Sequence, residues 1–533
     1  MKYKHILSRT WGLCWGVWVY ANPAIEIAPV PAPGSPVRFE IVGPTNLFGA
    51  GISGRLLIVL GRSSEPEPRE HIGATGMDAE PVAGFDVREF RGLSIPVPTN
   101  AALFPQRDWS EIPSGTYHAQ AVLMTNRDLR LPNAPGNFFS KPQEIHLDST
   151  KQIQVRLNLD RQLPAEKMPA DTDGVRYLKF ESPRLTLFHQ RPMYLRAAVT
   201  LPTGWEQETN RQYPLVIQIG GYGTRFYDAG PLESRSPDFV AAWRATTGPR
   251  FIHVQLDGSG PWGDPYQVNS ANNGPYGDAL VQELIPYIES HFRGMGNARG
   301  RFLTGGSTGG WVSLALQTFY PDFFGGCWSG YPDSPDFHAY ETMDIYEDSN
   351  AYINRFGFER PSKRTRYGEV EFTVRHECQL ENVLGDGDGY TGSGQQWGAW
   401  NAVYSPRGAD GRPLPLWEPK TGKIHIEAVR KSWEQYDLRL VMERQWKTLG
   451  PKLQGKIHIW VGDADDYFLD GGVHRLDFFL KTAKPRSAAR IEFGPGQRHG
   501  WEPRNWSQLL TEMQAVVEKK EQAKESTKEP GGK

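Results

Sequence analysis

The stretch that most constrains this chain is Arg301-Phe302-Leu303-Thr304-Gly305-Gly306-Ser307-Thr308-Gly309-Gly310-Trp311-Val312-Ser313-Leu314-Ala315-Leu316. A short apolar run stops at Thr304, small residues follow, and then apolar residues resume at helical spacing. The pattern predicts a strand, a very tight turn and a helix, with Ser307 at the apex of Gly-x-Ser-x-Gly. Gly305 and Gly309 flank the serine at two residues' distance, where such a turn leaves no room for a Cβ. The turn would expose Ser307 Oγ at the C-terminal edge of a sheet and at the N-terminus of a helix, whose amides favour a developing anion. With 57 glycines in the chain, the bare pattern arises by accident on the order of a few tenths of a time. The strand before it and the helix after it give it its weight.

The chain has 533 residues, which predicts two or three domains. Its 59 basic and 61 acidic residues leave a net charge of −2, so nothing global points to nucleic acid or an anionic membrane as partner. Lys2, Lys4 and Arg9 precede an apolar segment, Trp11 to Tyr20, and Val19-Tyr20-Ala21 has small residues at −3 and −1. Residues 1–21 therefore read as a cleavable export signal, because ten apolar residues cannot span a bilayer as a helix. A secreted or periplasmic location follows, with no stable membrane span. Cys327 and Cys378 would remain after processing, enough for one disulfide if they meet.

Residues 22–35 are a Pro/Ala linker. From there to about residue 165, short apolar runs such as Arg55 to Leu60 and Ile153 to Leu159 alternate with Gly/Pro/Asn/Asp clusters. They predict an all-β, sandwich-like unit of about seven strands over 36–165, an accessory with no catalytic constellation. A Pro/Asp-rich connection, Gln162 to Gly174, leads to a second grammar over 175–517. Buried-looking strands (Val216 to Ile219, Phe251 to Leu256, Phe302-Leu303, Ile457 to Val461, Ile491 to Phe493) alternate with helical patterns. The clearest helix follows Gly277, with Val281, Leu284, Ile285, Ile288 and Phe292 on one face. This alternation predicts an α/β fold with a mostly parallel sheet, whose ligands bind at the C-terminal strand ends. The Trp-, Gly- and Pro-rich segment of about 333–443 is too long for a connection and reads as a cap. A helix from Trp506 to Val517 and a polar tail, 518–533, close the chain.

A serine nucleophile needs a base, an orienting acid and an oxyanion site. His499 lies on the loop after the last predicted strand; His474 looks helical, and His253 and His458 lie within strands. The loop Gly462-Asp463-Ala464-Asp465-Asp466-Tyr467-Phe468-Leu469 supplies the acid. Counting Gly-x-x-Asp from the strand end favours Asp465, with Asp466 as the alternative. The amide of Thr308 is one oxyanion donor. The second is the amide of Tyr222 in Ile219-Gly220-Gly221-Tyr222-Gly223, with Gly221 as the alternative. Gly258-Ser259-Gly260-Pro261-Trp262-Gly263 fits a dinucleotide fingerprint in letters only, since Pro261 and Asp264-Pro265 prevent a helix from opening there. Asp386-Gly387-Asp388 lacks the remaining ligands of a calcium loop, and His376-Glu377-Cys378 is no zinc motif.

These pieces resemble the esterase D-like branch of the α/β-hydrolases, which includes S-formylglutathione hydrolases, feruloyl and acetylxylan esterases and mycolyltransferases. The matching segments are Gly220 to Gly223, Asn273-Gly274-Pro275-Tyr276-Gly277-Asp278 through Pro286, Gly305 to Gly310, Gly462 to Leu469 and His499-Gly500. The resemblance implies an α/β-hydrolase sheet and hydrolysis of a small-molecule or carbohydrate-linked ester without metal or organic cofactor. Gly306 and Thr308 depart from it, standing where larger or different residues are usual, and the insertion is longer than in small members. Two rival readings are a serine peptidase of the oligopeptidase kind and a non-catalytic carbohydrate-binding or surface protein with a relic hydrolase domain. Some 130 β-rich residues are too few for the propeller of the first, and an intact catalytic set speaks against the second.

Overall fold

The run Leu56-Leu57-Ile58-Val59-Leu60 is apolar at every position rather than every second one, and strand Ile52–Gly61 is accordingly buried on both faces. The computed structural model describes residues 37–525 apart from 77, 149, 229, 425 and 426. The expected export signal (1–21), the linker (22–35) and the last residues of the tail lie outside them. Ile52–Gly61 sits mid-way in a seven-stranded antiparallel sheet, between Gly115–Met124 and Val82–Phe90. A three-stranded sheet faces it, in which Val37–Val42 pairs in parallel with Ile153–Asn158. Between the two sheets lie Phe39, Ile41, Leu56, Ile58, Leu60 and Trp109, the packing of a sandwich.

The second face of the larger sheet is covered by the insertion. Leu57, Val59, Val122 and Phe104 pack with Leu380, Val383 and Leu384 of helix α1, Val374–Leu384. Arg55, 2% exposed, crosses this junction. It donates to the carbonyls of Val383 (2.9 Å) and Asn382 (3.1 Å) and to the carboxylates of Asp86 (3.0 Å) and Asp388 (2.8 Å). A buried guanidinium requires such a full set of acceptors. The β unit, expected as an accessory, thus shares a core with the insertion.

The eight-stranded sheet of the second unit comprises β1 (Val175–Glu181), β2 (Tyr194–Thr200), β3 (Leu215–Ile219), β4 (Ile252–Leu256), β5 (Arg301–Gly306), β6 (Gly326–Gly330), β7 (Ile457–Gly462) and β8 (Arg490–Gly494). Their order is β1-β2-β4-β3-β5-β6-β7-β8; β2 runs antiparallel to both β1 and β4, and the other pairs are parallel. Alternate side chains enter opposite layers. Leu215, Ile217, Ile219 and Leu303 face the core that contains most helices, while Val216, Phe302, Trp328 and Trp460 meet Leu509, Leu510 and Met513 of the C-terminal helix. That helix runs from Trp506 to Glu525, past its expected end at Val517. The expected helix after Gly277 continues from Tyr276 to Phe292 through a π-helical turn at Leu280–Leu284, just before Pro286, whose missing N–H a regular helix would need. No helix among the described residues is long and apolar enough to cross a membrane, and Cys327 and Cys378 are both buried and free.

Register positions the site. Ile219 pairs with Gly305 and Gly306 with Gly330, so β3, β5 and β6 end together and Gly220, Ser307 and Tyr331 leave the sheet at one level. The 333–443 insertion joins β6 to β7 and carries the hairpin Pro361–Arg364/Val370–Thr373, α1, and helix α2 (Gln396–Tyr404), buried from Trp397 to Tyr404. The insertion, expected as a cap, packs both against the sandwich, through Leu380 and Val383, and against the core of the parallel sheet, through Trp397 and Trp400.

Candidate active site

Ser307 occupies a conformation that few non-glycine residues adopt, φ 58° and ψ −124°, at the cap of helix α3, Thr308–Phe319. Two close approaches hold it there. A Cβ on Gly305 would lie 2.6 Å from the Gly309 carbonyl group, and a Cβ on Gly309 would lie 2.0 Å from the Ile219 oxygen. The strand–turn–helix read from the sequence is therefore a strained elbow, braced by the Ser307 N–H donating to the Gly330 carbonyl (3.1 Å).

His499 follows β8, and its Nδ1 lies 2.8 Å from Asp465 Oδ2. Asp465 is fully buried, and its other oxygen accepts the Tyr467 N–H at 2.9 Å. A carboxylate held this way fixes the imidazole with Nδ1 protonated and leaves Nε2 free to act as base. Asp466 turns away into a two-pronged pair with Arg498 (2.6 and 2.8 Å), and Asp463 accepts the Gly496 N–H (2.6 Å). Of the three neighbouring acids, Asp465 is the one that meets His499. The imidazole is flanked edge-on by Tyr331 (4.8 Å) and Tyr467 (5.0 Å).

Ser307 and His499 line one cavity of about 660 Å³, together with Gly220, Gly221, Tyr331 and Glu502. No residue of the insertion lines it. No hydrogen bond joins Ser307 Oγ to His499; the hydroxyl faces Asp333 Oδ1 at 3.4 Å. Of the two oxyanion donors expected, Thr308 opens helix α3 beside Ser307. Gly221 borders the cavity, whereas Tyr222 does not; its hydroxyl donates to the Gly394 carbonyl of the insertion. Asp264 steadies this loop by accepting the Gly223 N–H at 3.2 Å, and burial pushes its carboxyl up to about 7.

Two residues of the site escaped the sequence reading. Tyr331 (φ 30°) lays its ring over Gly306, where a Cβ would come within 2.3 Å of it, and donates its hydroxyl to Glu502 (3.2 Å). Asp333 is buried beneath the elbow and accepts from Tyr266, Thr308, Gln396 and Trp400. The signal for both lay in the departures at Gly306 and Thr308: the glycine clears space for a ring, and the threonine supplies a hydroxyl to a buried acid. Among the described residues no group of three or more His, Cys, Asp or Glu side chains could hold a metal ion.

The family model described as "Putative esterase" matches residues 193–517, more than half of the chain. The chain belongs to this esterase family. The esterase is a carboxylic ester hydrolase with an α/β-hydrolase sheet, preceded by a β-rich unit. No curated protein sequence matches it. Solved structures similar to the esterase include a ferulic acid esterase, 16% identical over 64% of this chain and 96% of that one, with a TM-score of 0.37. An S-formylglutathione hydrolase from Agrobacterium tumefaciens is 12% identical over 66% of this chain and 96% of that one (TM-score 0.34). The fluorophosphonate-binding serine hydrolase FphF of Staphylococcus aureus is 11% identical over 64% and 98% (TM-score 0.36).

Proposed function

We propose that this esterase is an exported serine hydrolase that cleaves small-molecule or carbohydrate-linked carboxylic esters through an acyl-enzyme. The observation that carries the reading is the 2.8 Å His499–Asp465 pair, in the same cavity as a serine held at φ 58°. Rotation about the Ser307 Cα–Cβ bond turns Oγ from Asp333 towards His499. Nε2 then takes the hydroxyl proton as Oγ attacks the ester carbonyl carbon. The carbonyl oxygen becomes an oxyanion, held by the amide of Thr308 and by that of Tyr222 or Gly221. His499 returns the proton to the departing alkoxide, and the C–O bond of the ester breaks. Water then attacks the acyl carbonyl while giving a proton to His499, which passes it to Ser307 Oγ as the acyl C–O bond breaks and the acid leaves. Asp465 keeps Nδ1 protonated throughout and balances the imidazolium charge.

Ser307→Ala tests this directly. A folded variant should lose turnover of nitrophenyl acetate, and a phosphonate should label the wild-type protein once, at Ser307. Near-full turnover by the alanine variant would remove Ser307 as nucleophile. Export is tested separately, by the N-terminal mass of protein recovered outside the cytoplasm: an intact Met1 there would rule out cleavage after Ala21.

A further inference from the structure

Asp333 is a buried acid beside the nucleophile for which the triad has no task. It leaves β6 on Tyr331-Pro332-Asp333 and is 2% exposed. Four donors from three segments converge on its Oδ2. They are the Tyr266 hydroxyl (2.7 Å), the Thr308 hydroxyl (3.1 Å), the Trp400 indole N–H (3.2 Å) and the Gln396 amide (3.3 Å). The indole and amide nitrogens can only donate, so the oxygen they share is an acceptor, and four donors suit a carboxylate better than an acid. Its Oδ1 receives the Ser307 hydroxyl at 3.4 Å, and its backbone N–H donates to the Ser307 carbonyl at 3.2 Å. Tyr266, which makes the shortest of these bonds, is itself held at φ 53°. Backbone strain at Ser307, Tyr331 and Tyr266 thus surrounds one carboxylate.

Resting on the proposed Ser307–His499 chemistry, we propose that Asp333 is a positioning residue of the reaction: its anion clamps the nucleophile elbow to helix α2 of the insertion and favours the imidazolium that His499 becomes. When Ser307 is deprotonated, His499 gains a full positive charge that Asp465 balances from the Nδ1 side. Asp333 adds a second negative charge on the nucleophile's side, in a buried setting where screening is weak. Burial pushes the Asp333 carboxyl up, while hydrogen bonds from Tyr266 and Thr308 and the charge of His499 pull it back. The titratable groups that act on or respond to Asp333 are Tyr266, Asp264, Tyr340, Glu341, Tyr404 and His499. Of these, His499 alone becomes a cation during turnover. The groups facing His499 are Asp465, Tyr331 and Tyr467, with the neighbouring Arg498 taken up by Asp466. The departure at Thr308 acquires a purpose: its hydroxyl ties the residue whose amide meets the oxyanion to the same carboxylate.

The test uses the full chain and the pH profile of kcat/KM on nitrophenyl acetate, with folding checked by circular dichroism. Asp333→Asn keeps the shape and removes the charge. It should lower kcat roughly 100-fold with KM little changed, and move the acid limb about one pH unit lower, because the imidazolium loses an attracting charge. Tyr266→Phe keeps the charge and removes its best donor, so Asp333 takes up a proton at higher pH and the acid limb should move upward instead. A merely structural role would lower stability in both variants and move neither limb. If Asp333→Asn does not fold, the upward shift in Tyr266→Phe still decides, and an unmoved limb there refutes the proposal. Wild-type protein that neither turns over esters nor labels at Ser307 would sink the esterase chemistry and this proposal together. Wild-type activity with both limbs unmoved would sink this proposal alone.

Discussion

Tyr331 holds its ring where a side chain on Gly306 would stand, and the same ring forms one flank of His499. Gly306→Ala should therefore push the ring, and with it the imidazole, out of line. A displacement of about 1 Å at a reacting group can cost about 100-fold in turnover. Replacing Tyr331 by Ala in the same chain should recover part of that loss, because the methyl group then has room. No recovery in the double variant would mean that Gly306 is needed for backbone freedom rather than for the ring. At the same scale, Asp465→Asn should lower turnover by roughly 10⁴-fold by freeing His499 to take the wrong tautomer. Asp466→Asn, which only releases Arg498, should cost little. A large loss confined to Asp466→Asn would transfer the orienting role to that residue.

Among the elements, β7 carries a liability that a pH series exposes. His458 is buried in it, its ring stacked 4.4 Å from Trp328, and burial pushes it down to about 4. In the unfolded chain a histidine binds its proton near 6.5. The unfolded state therefore holds more protons than the folded one between about 6.5 and 4, and stability is lost as pH falls through that window. His458→Phe should flatten this part of the profile, by at most about 3 kcal/mol at pH 4, read from urea midpoints at pH 7 and 4.5. An equal acid loss in the variant would assign it to other groups.

What the sequence made legible was also set at this scale. Ile457 to Val461 and Phe251 to Leu256 announce themselves as strands because β-branched and aromatic residues fill them. β6 does not, since Gly326-Cys327-Trp328-Ser329-Gly330 is chosen for close packing: a Cβ on Gly330 would lie 2.9 Å from Trp460. The elbow, Asp465 and His499 could be read because each stands at a fixed offset from a strand end. Asp333 could not be named, because the departure at Thr308 calls for a hydroxyl's partner without saying which, and the other partners, Tyr266 and Gln396, lie 67 and 63 residues away with no spacing rule to connect them.

For the whole molecule, the junction of sandwich and insertion changes what a cut should do. The sequence suggested two separable units; the shared core of Leu57, Val59, Leu380 and Val383 binds them. Proteolysis between 163 and 174 should leave two pieces that travel together on gel filtration and still turn over esters. Expression of 166–533 alone should give aggregated or inactive protein, since it uncovers α1 and leaves Asp388 without Arg55. Soluble, fully active 166–533 would restore the simpler two-unit view.

That junction also imposes an order on synthesis. Arg55 leaves the ribosome 328 residues before the Val383 carbonyl it will bind. At about 5–20 residues per second this is a wait of tens of seconds. Through that interval a finished sandwich would present Leu57, Val59, Phe104 and Val122 to water with nothing to cover them. The sandwich is thus completed only when α1 of the insertion follows it, still ahead of β7, β8 and the C-terminal helix that finish the second unit.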